Sequence, residues 1–450
     1  MEMPKAPAFR KLIGPSFILL GLGLGSGELI LWPYLTSNFG MTIIWAAVLG
    51  VTLQFFINME IERYALAKGE SVFVGYHKKL QILPIWFIFS TFFAWIWPGI
   101  IATSARLLAE VFGISNVGLL GIILLILIGV ILTLGPVLYK TVEKLALVLI
   151  TIGVPAIIAL TLYIAKPGDY SDLFSGMSGF LGPFPKGLPL ASFLAAFAFA
   201  GAGGNLNLAQ SFYIKEKGYG MGKFGGKITS ILTGKLKEIA LEGKDFEYNS
   251  ENLKRFFNWW KLVNLEHLLI FWGGGVISIL LLSLLAYSTV FGISTPGAGI
   301  EFMIFEASEI ARQTLPFLGT FFLLIGGIML FNTQLTVLDA TSRIMAENLL
   351  ILNKDRWQTK TLPKIYYSFL WAQIAAGIII FLTGFSQPLV LITISAVLNA
   401  ISMFVHIGLT LWLNQTELYK EIRPSLIRIG VMVFSFLFFG YFSLRTLNVF

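Results

Sequence analysis

Long apolar stretches separated by short polar segments run through the whole chain. Each stretch has about 20 residues or more, the length that an α-helix needs to cross the hydrocarbon core of a bilayer. None shows the alternation of polar and apolar residues that marks the strands of a membrane barrel. The pattern predicts an all-α integral membrane protein with about eleven transmembrane helices, near residues 12–37, 41–66, 83–112, 116–136, 144–165, 188–214, 264–291, 316–339, 365–385, 388–413 and 425–447.

Composition supports a membrane protein and excludes several other classes. The chain of 450 residues is 56% hydrophobic and only 12% charged, whereas soluble domains carry about 25% charged residues. It has no cysteine, which excludes disulfides, iron–sulfur clusters and thiolate metal sites. With only three histidines, the chain offers few nitrogen ligands for a zinc site. No H-E-x-x-H, paired-aspartate or Ser/His pattern indicates an enzyme, and we expect no resident cofactor.

The placement of positive charge predicts the orientation. With the N-terminus in the cytoplasm, 27 of the 32 Lys and Arg residues fall in cytoplasmic segments and four fall outside. Such an asymmetry is typical of multi-pass membrane proteins. We therefore expect a plasma-membrane protein with its N-terminus cytoplasmic and its C-terminus extracellular. The net charge of +8 then reflects cytoplasmic loops rather than nucleic-acid binding, and the expected partners are lipid and a small ion or solute. The sequence does not determine the oligomeric state.

The connecting segments carry their own predictions. Within the long inner loop at 215–263, residues 250–262 are typical of an interfacial helix, with Ser250 as a candidate N-cap. The outer segment 297–312 predicts a short surface helix with a solvated acidic face. The inner end of the second span predicts a gate or a solvated contact, formed by Glu60, Glu62 and Arg63.

Two glycine-rich interruptions are the most informative anomalies. The first span contains G-L-G-L-G-S-G-E at residues 21–28, and the sixth contains G-A-G-G-N at residues 201–205. Glycine costs about 1 kcal/mol relative to alanine inside a helix, so both helices should break. Breaks in the first and sixth spans predict an inverted repeat, with units at 12–165 and 188–413 and an additional helix at 425–447. The alternative is that these glycines only allow close helix packing.

Polar side chains accompany both interruptions. Glu28 follows the first break, where an unpaired carboxylate is costly and usually functional. It could bind a cation, carry a proton or neutralise an amine; the alternative is a protonated Glu that caps the freed backbone. Across from it, the amides of Asn205 and Asn207 are candidate ligands, with Gln210 as a weaker one. Backbone groups complete the candidate site at Gly25, Ser26 and Gly204.

Other polar residues within the spans have a structural alternative. Arg106 and Glu110 lie one helical turn apart in the third span, and Asp339 and Arg343 repeat this spacing in the eighth. Such pairs are usually structural, although each is a candidate for proton transfer or gating. His406 is a further candidate proton carrier. We expect the other isolated polar residues, including Asn399 and Gln373, to join helices by hydrogen bonds.

The N-terminal residues resemble the first two helices of the Nramp divalent-metal transporters. That family shows G-P-G-F, D-P-G-N, an aromatic-Gly turn, a Trp and a Gln. This chain has G-P-S-F at 14–17, G-S-G-E at 25–28, F-G at 39–40, then Trp45 and Gln54. The resemblance implies the LeuT-like fold of that family, an N-terminus inside, and transport of a divalent ion such as Mn²⁺, Fe²⁺ or Mg²⁺.

The residues that bind metal in that family are changed here. The match puts Gly25 at the family's Asp and Glu28 at its Asn. Residues 203–207 replace the family's M-P-H-N, so the Met and His are missing. Ser104 and Leu107 occupy the places of an acidic pair in the third helix, and Ala396 that of a Gln in the tenth. The resemblance therefore extends to the helical scaffold but not to the residues that bind the metal ion in that family.

Two functions remain open from the sequence, and a third has less support. The first is secondary transport of a divalent cation, with Glu28, Asn205, Asn207 and backbone carbonyls as an oxygen shell suited to Mg²⁺ or Mn²⁺. The second is transport of a small amine or amino acid, with Glu28 as counter-ion or proton carrier. A membrane enzyme or a sensor that does not transport is the third.

Overall fold

A computed structural model describes residues 1–9, 16, 19–20, 25–134, 151, 153, 155–179, 182, 184–225, 241–293, 299–353, 361–385 and 387–447. All regular structure in this part of the chain is helical, with no β-strand. A π-helical turn and a 3₁₀ turn interrupt the first and sixth spans, at Ser26–Leu31 and Gly204–Ala209. The helices are α1 Trp32–Phe39, α2 Ile44–Lys68, α3 Val72–Lys79, α4 Leu83–Trp95, α5 Gly99–Phe112, α6 Val117–Leu134, α7 Pro155–Ile164, α8 Pro167–Ser178, α9 Leu190–Ala198, α10 Gln210–Lys217, α11 Ser250–Val290, α12 Glu301–Gln313, α13 Pro316–Leu352, α14 Leu362–Leu382, α15 Pro388–Glu417 and α16 Leu426–Leu447.

Eight helical segments in the described part of the chain are long and apolar enough to cross a membrane. They are α2, the α4–α5 pair, α6, α11 and α13 to α16, and each overlaps most of one of the predicted spans. The spans at 12–37 and 144–165 lie partly outside the described residues. The inner turn at 137–144 and loop residues 226–240 lie wholly outside them. The count of eleven spans therefore stays a prediction.

The third span contains a break that the hydrophobic pattern does not reveal. Helix α4 ends at Trp95, residues 96–98 are not helical, and α5 starts at Gly99. Pro98 explains the interruption, because proline has no backbone N–H and disfavours helical geometry in the residue before it. Trp95 then stacks on Phe199 beside the interruption of the sixth span, with 5.3 Å between the ring centroids.

The helix predicted at 250–262 is present, but it does not end there. Residues Ser250–Val290 form one continuous helical segment of 41 residues, with a π-helical turn at Leu268–Gly273, and it includes most of the predicted span at 264–291. It contains no Pro, and its first Gly comes only at residue 273, so nothing stops it near 262. The N-cap is Asn249 rather than Ser250, because the Asn249 side chain accepts the backbone N–H of Asn252 at 2.8 Å.

The N-terminal residues lie along the start of this long helix. The Asn252 side chain accepts the Met3 N–H at 2.9 Å, and Trp259 donates its indole N–H to the Pro4 carbonyl at 2.8 Å. Arg255 binds Glu2 at 3.0 Å. The segment that precedes the first span is therefore attached to α11 along about two helical turns.

The outer helix predicted at 297–312 is present as α12, but its acidic face is not fully solvated. Only 2% of Glu306 is exposed. Burial raises the pKa of its carboxyl group above the ordinary value. Glu301 binds Arg106 of α5 at 3.0 Å, and Glu309 binds Arg312 at 2.7 Å. Helix α12 thus packs one acidic side chain inward and is joined to α5 through Glu301 and Arg106.

Candidate functional site

The first span departs from α-helical geometry at the end of its glycine-rich segment. Of that segment the structure describes Gly25 onward, and residues 21–24 lie outside the described part. The six residues Ser26–Leu31 form a buried π-helical turn that leads into α1. Pro33 follows at the start of α1 and supplies no N–H to the preceding turn. This wide turn carries Glu28 into the interior of the protein, where 1% of its surface is exposed.

The sixth span is interrupted where its glycines adopt positive φ. Helix α9 ends at Ala198, and Gly201, Gly203 and Gly204 have φ angles of 134°, 72° and 57°. These conformations are open to glycine and strained for other residues. The 3₁₀ turn Gly204–Ala209 then carries Asn205 and Asn207, which are fully buried. The structure confirms the predicted interruption at this point.

Side chains from two long helices satisfy backbone groups that the second interruption frees. Gln54 of α2 donates to the Ala198 carbonyl at 2.9 Å and accepts the Gly203 N–H at 3.1 Å. His406 of α15 lies 2.9 Å from the Gly204 carbonyl through Nε2. Buried backbone groups need such partners. His406 is thus buried as a hydrogen-bond partner of the backbone. Its role as a proton carrier stays a prediction.

The two interruptions are packed backbone against backbone. A Cβ atom added to Gly27 would lie 1.7 Å from the Phe199 carbonyl oxygen. At Gly25 an added Cβ would lie 2.4 Å from the Thr333 side chain of α13. At Gly204 it would lie 1.8 Å from Asn399 Oδ1. Close approach therefore requires glycine at all three positions, so the packing explanation is correct for them. It leaves the nearby polar groups unexplained.

Several buried polar atoms at these interruptions have no hydrogen-bond partner among the described residues. Both carboxylate oxygens of Glu28 and both amide atoms of Asn207 are in this state. The same holds for one atom each of three neighbouring side chains, Asn205 Oδ1, Asn399 Oδ1 and His406 Nδ1. A buried polar group without a partner costs about 1–3 kcal/mol, and a charged group costs more. A ligand at the interruptions would supply partners for these atoms.

The other candidate ligands have different surroundings. Asn205 is held by its amide nitrogen, which donates to Ser90 at 2.8 Å and Thr91 at 2.9 Å on α4. Its oxygen is thereby left for a ligand. Gln210 lies at the start of α10 and donates to Glu62 at 3.5 Å. Ser26 is buried in the π-helical turn.

The charged pairs predicted from helical spacing are present and have further partners. Arg106 binds Glu110 at 2.8 Å as well as Glu301, at a partly exposed position. Arg343 binds Asp339 at 2.9 Å and also Glu216 of α10 at 2.5 Å, and all three are buried. The second pair therefore connects α13 to the helix that follows the sixth-span interruption.

The prediction of a solvated contact at the inner end of the second span is wrong. Glu60 and Glu62 have no exposed surface, and 3% of Arg63 is exposed. Glu60 binds Arg63 at 2.8 Å and Arg428 of α16 at 3.1 Å. Helix α2 is surrounded by other helices over nearly its whole length, so its polar residues face protein rather than water.

The structure contains a second group of buried polar residues that the sequence pattern does not reveal. Glu266 and His267 lie in α11 with no exposed surface, and the Ser16 hydroxyl contacts both. His267 is therefore a second deeply buried histidine besides His406. No motif marks this group, because its members are about 250 residues apart. Within the described ranges, no three His, Cys, Asp or Glu side chains converge as a metal site.

Comparison with known proteins places the fold. No family model and no curated protein matches the chain. Solved structures do match. A variant of the Eremococcus coleocola manganese transporter has a TM-score of 0.70 at 13% identity, over 99% of this chain and 88% of that one. Mhp1, a nucleobase-cation-symport-1 family transporter with bromovinylhydantoin bound, has a TM-score of 0.57 at 12% identity, over 97% and 93%. MhsT in complex with L-phenylalanine has 0.52 at 14%, over 96% and 97%. The predicted all-α, LeuT-like membrane fold is thereby confirmed.

Proposed function

We propose that this chain is a secondary active transporter that carries a divalent metal ion through a site between the two interrupted helices. The observation that carries the proposal is Glu28, a buried carboxylate at the first interruption with both oxygens unpartnered among the described residues. An ionised carboxylate in such a place needs a cation. Half-helix ends near the middle of the membrane are where transporters of this architecture bind their substrates.

The available donors suit a hard cation. Glu28 supplies two oxygens, and Asn205 and Asn207 each supply an unpartnered amide oxygen. Oxygen ligands of this type favour Mg²⁺ and Mn²⁺, and the residues at 203–207 include no Met or His that would favour softer ions. One carboxylate leaves a divalent ion partly uncompensated, so we expect retained water ligands, as Mg²⁺ prefers. The N-terminal resemblance to Nramp proteins supports this substrate class.

A specific observation favours a small organic solute as the second candidate. The Asn207 side chain also has an unpartnered donor, Nδ2, which a metal ion cannot satisfy. A zwitterion would satisfy both sites, because its ammonium group would bind Glu28 and its carboxylate would accept from Asn207. Two of the similar structures contain organic molecules, bromovinylhydantoin in Mhp1 and L-phenylalanine in MhsT.

The proposed mechanism is alternating access of two five-helix units around this site. The units are those predicted at 12–165 and 188–413, with α16 outside the repeat. In the structure Gly27 and Phe199 bring the two interrupted helices into contact. Helices α2 and α15 hold the second interruption through Gln54 and His406. We further propose that the N-terminus is cytoplasmic and that Arg106, Glu110, Asp339 and Arg343 serve as gating contacts.

Uptake into proteoliposomes tests the proposal. Purified protein would be supplied with Mn²⁺, Mg²⁺ or Ca²⁺ outside, with and without a pH gradient. We expect saturable uptake that Glu28→Gln abolishes, because the isosteric amide removes the charge and keeps the volume. Glu251→Gln is the matched control, since Glu251 is exposed at the start of α11 and should keep wild-type uptake.

The outcomes separate the two candidates. Wild-type uptake in the Glu28→Gln variant would remove Glu28 from the mechanism. If folded protein takes up none of the three ions, the metal proposal fails. Amines and amino acids would then be tested for thermal stabilisation of the wild type that is lost in Glu28→Gln and in Asn207→Leu.

A further inference from the structure

A second group of buried polar side chains supplies no oxygen to the proposed metal shell, although one member, Gln210, directly follows the sixth-span interruption. Its members come from four separate segments. We call it the buried carboxyl cluster, and it consists of Ser16, Glu62, Gln210, Glu266 and His267. None of the five has exposed surface.

The contacts within the cluster join the first span, α2, α10 and α11. Ser16 donates its hydroxyl to Glu266, and His267 Nδ1 lies 3.0 Å from the same hydroxyl. Gln210 donates to Glu62 Oε2 at 3.5 Å. Helix α2 packs on this part of α11, because the His267 ring stacks on Phe55, and Glu62 lies two helical turns along the same face of α2 as Phe55. The cluster therefore brings two acidic groups together where the helices that carry the two interruptions approach α2 and α11.

Unpartnered atoms point to a ligand at this place. Among the described residues, Glu62 Oε1, Gln210 Oε1 and His267 Nε2 have no hydrogen-bond partner, although all three are buried. Two neighbouring carboxylates in a dry interior repel each other and lose their hydration, so the arrangement favours binding of a cation between them.

The geometry favours a proton over a metal ion. The His267 ring is held between Phe55 and Phe271, with centroid distances of 5.6 Å and 4.6 Å. The described side chains contain no convergent group of three His, Cys, Asp or Glu. A proton needs only one carboxyl oxygen and one acceptor, which Glu62 and its neighbours provide.

The other charged groups on the helices around α2 are engaged elsewhere. Arg63 of α2 and Arg428 of α16 bind Glu60, and Arg428 also donates to Asn264 of α11. Lys78 of α3 binds Glu70. On α10, which carries Gln210, Glu216 binds Arg343. Within the part of the chain that the structure describes, no Lys or Arg forms an ion pair with Glu62.

We propose that the buried carboxyl cluster is a proton-binding site that couples protonation to movement of the interrupted helices. A proton enters from water when the cluster is open and is held by Glu62 beside Glu266 when it is closed. Loss of the proton leaves two like charges, which separates α2 from α11 and admits water. Ser16 and Gln210 transmit this change to the first and sixth spans. The inference rests on the proposed transport function for its role, but the site itself can be tested without a substrate.

Thiol labelling tests the site independently of transport. The chain has no cysteine, so Ser211→Cys supplies a single reporter next to Gln210. Ser211 has no exposed surface, and its hydroxyl donates to the Leu208 carbonyl at 2.7 Å. A small thiol reagent therefore reacts only when α10 moves. Ser250→Cys, at an exposed position, reports the intrinsic dependence of thiol reactivity on pH.

We expect the Ser211→Cys rate, divided by the Ser250→Cys rate, to increase with pH. One linked proton gives up to about tenfold per pH unit. Glu62→Gln should abolish the increase and keep the rate low, because a neutral amide cannot repel Glu266. Glu62→Asp should retain the increase. Glu70→Gln is the matched control, since Glu70 is a buried carboxyl outside the cluster, and it should behave as the wild type.

Each result decides the matter. A wild-type rate that does not change with pH, or an unchanged increase in Glu62→Gln, would overturn the proposal. If Glu62→Gln does not fold, Glu266→Gln removes the like charge from the other helix and should abolish the same increase. Failure of metal uptake together with an intact pH profile would count against the proposed substrate alone. If metal uptake is intact but the labelling rate does not depend on pH, the result would count against this site alone.

Discussion

The contact between the two interrupted helices can be tested by adding a single methyl group at Gly27. The added Cβ would lie 1.7 Å from the Phe199 carbonyl oxygen and 2.5 Å from its carbon. Ordinary contact starts at 3.4 Å, so the two backbones must separate by about 1.7 Å in a closely packed interior. Backbone atoms cannot rotate away as a flexible side chain can. The strain must therefore be shared by both interruptions.

We expect Gly27→Ala to destabilise the protein by about 1–3 kcal/mol, the usual cost of overpacking. If the strain acts on the substrate-bound geometry, the same free energy lowers affinity by about 5- to 150-fold. The measurement is thermal unfolding by fluorescence-detected gel filtration, followed by uptake as a function of substrate concentration.

Gly430→Ala is the matched control for this substitution. Gly430 lies in α16 with nothing within 4 Å of an added Cβ. That variant should be unchanged or more stable by up to about 1 kcal/mol, because alanine favours helix. Wild-type stability and uptake in Gly27→Ala would refute the backbone contact between the first and sixth spans.

Three further substitutions test other parts of the structure. Gln54→Leu leaves two buried backbone groups unpaired at the sixth-span interruption. The free energy of unfolding, measured from denaturation curves, should therefore fall by about 2–6 kcal/mol. Asp339→Asn removes one of the two carboxylates that neutralise Arg343, and we expect the free energy of unfolding to fall by about 3–5 kcal/mol and the introduced Ser211→Cys in α10 to be labelled faster. Burial raises the pKa of Glu306, so its folded form holds a proton more tightly; its contribution to stability is complete below the ordinary value of 4.5 and falls as pH rises toward the folded value. Relative to wild type, Glu306→Gln should therefore be more stable at pH 8 than at pH 5, and thermal unfolding at both values would check this.

Most of the helical architecture could be predicted from the sequence, because the membrane imposes a minimum length of apolar residues on each span. Hydrophobicity sets where a helix is buried in lipid and not where it ends. Helix α11 therefore extends to Ser250, through polar residues that cover protein surfaces. Pro98 breaks the third span, although the apolar pattern continues across it without a gap.

The site could be predicted only in part. Glycine density located both interruptions, and helical spacing located the Arg106 and Arg343 ion pairs. Contacts between distant segments have no local signal. Glu62 and Glu266 are about 200 residues apart, and only the fold brings them together. The same applies to Thr333 and Asn399, which fill the space beside Gly25 and Gly204.

The length of α11 has a practical consequence. At about 1.5 Å per residue its 41 residues span about 60 Å, roughly twice the hydrocarbon core. One end must therefore extend beyond the bilayer. The first residues of the chain are hydrogen-bonded to the start of this helix through Asn252 and Trp259. A purification tag or fluorescent protein fused ahead of Met1 would therefore lie beside the start of α11 and disturb this contact. A fusion after α16 leaves the contact between the N-terminal residues and α11 intact and is the better design for functional assays.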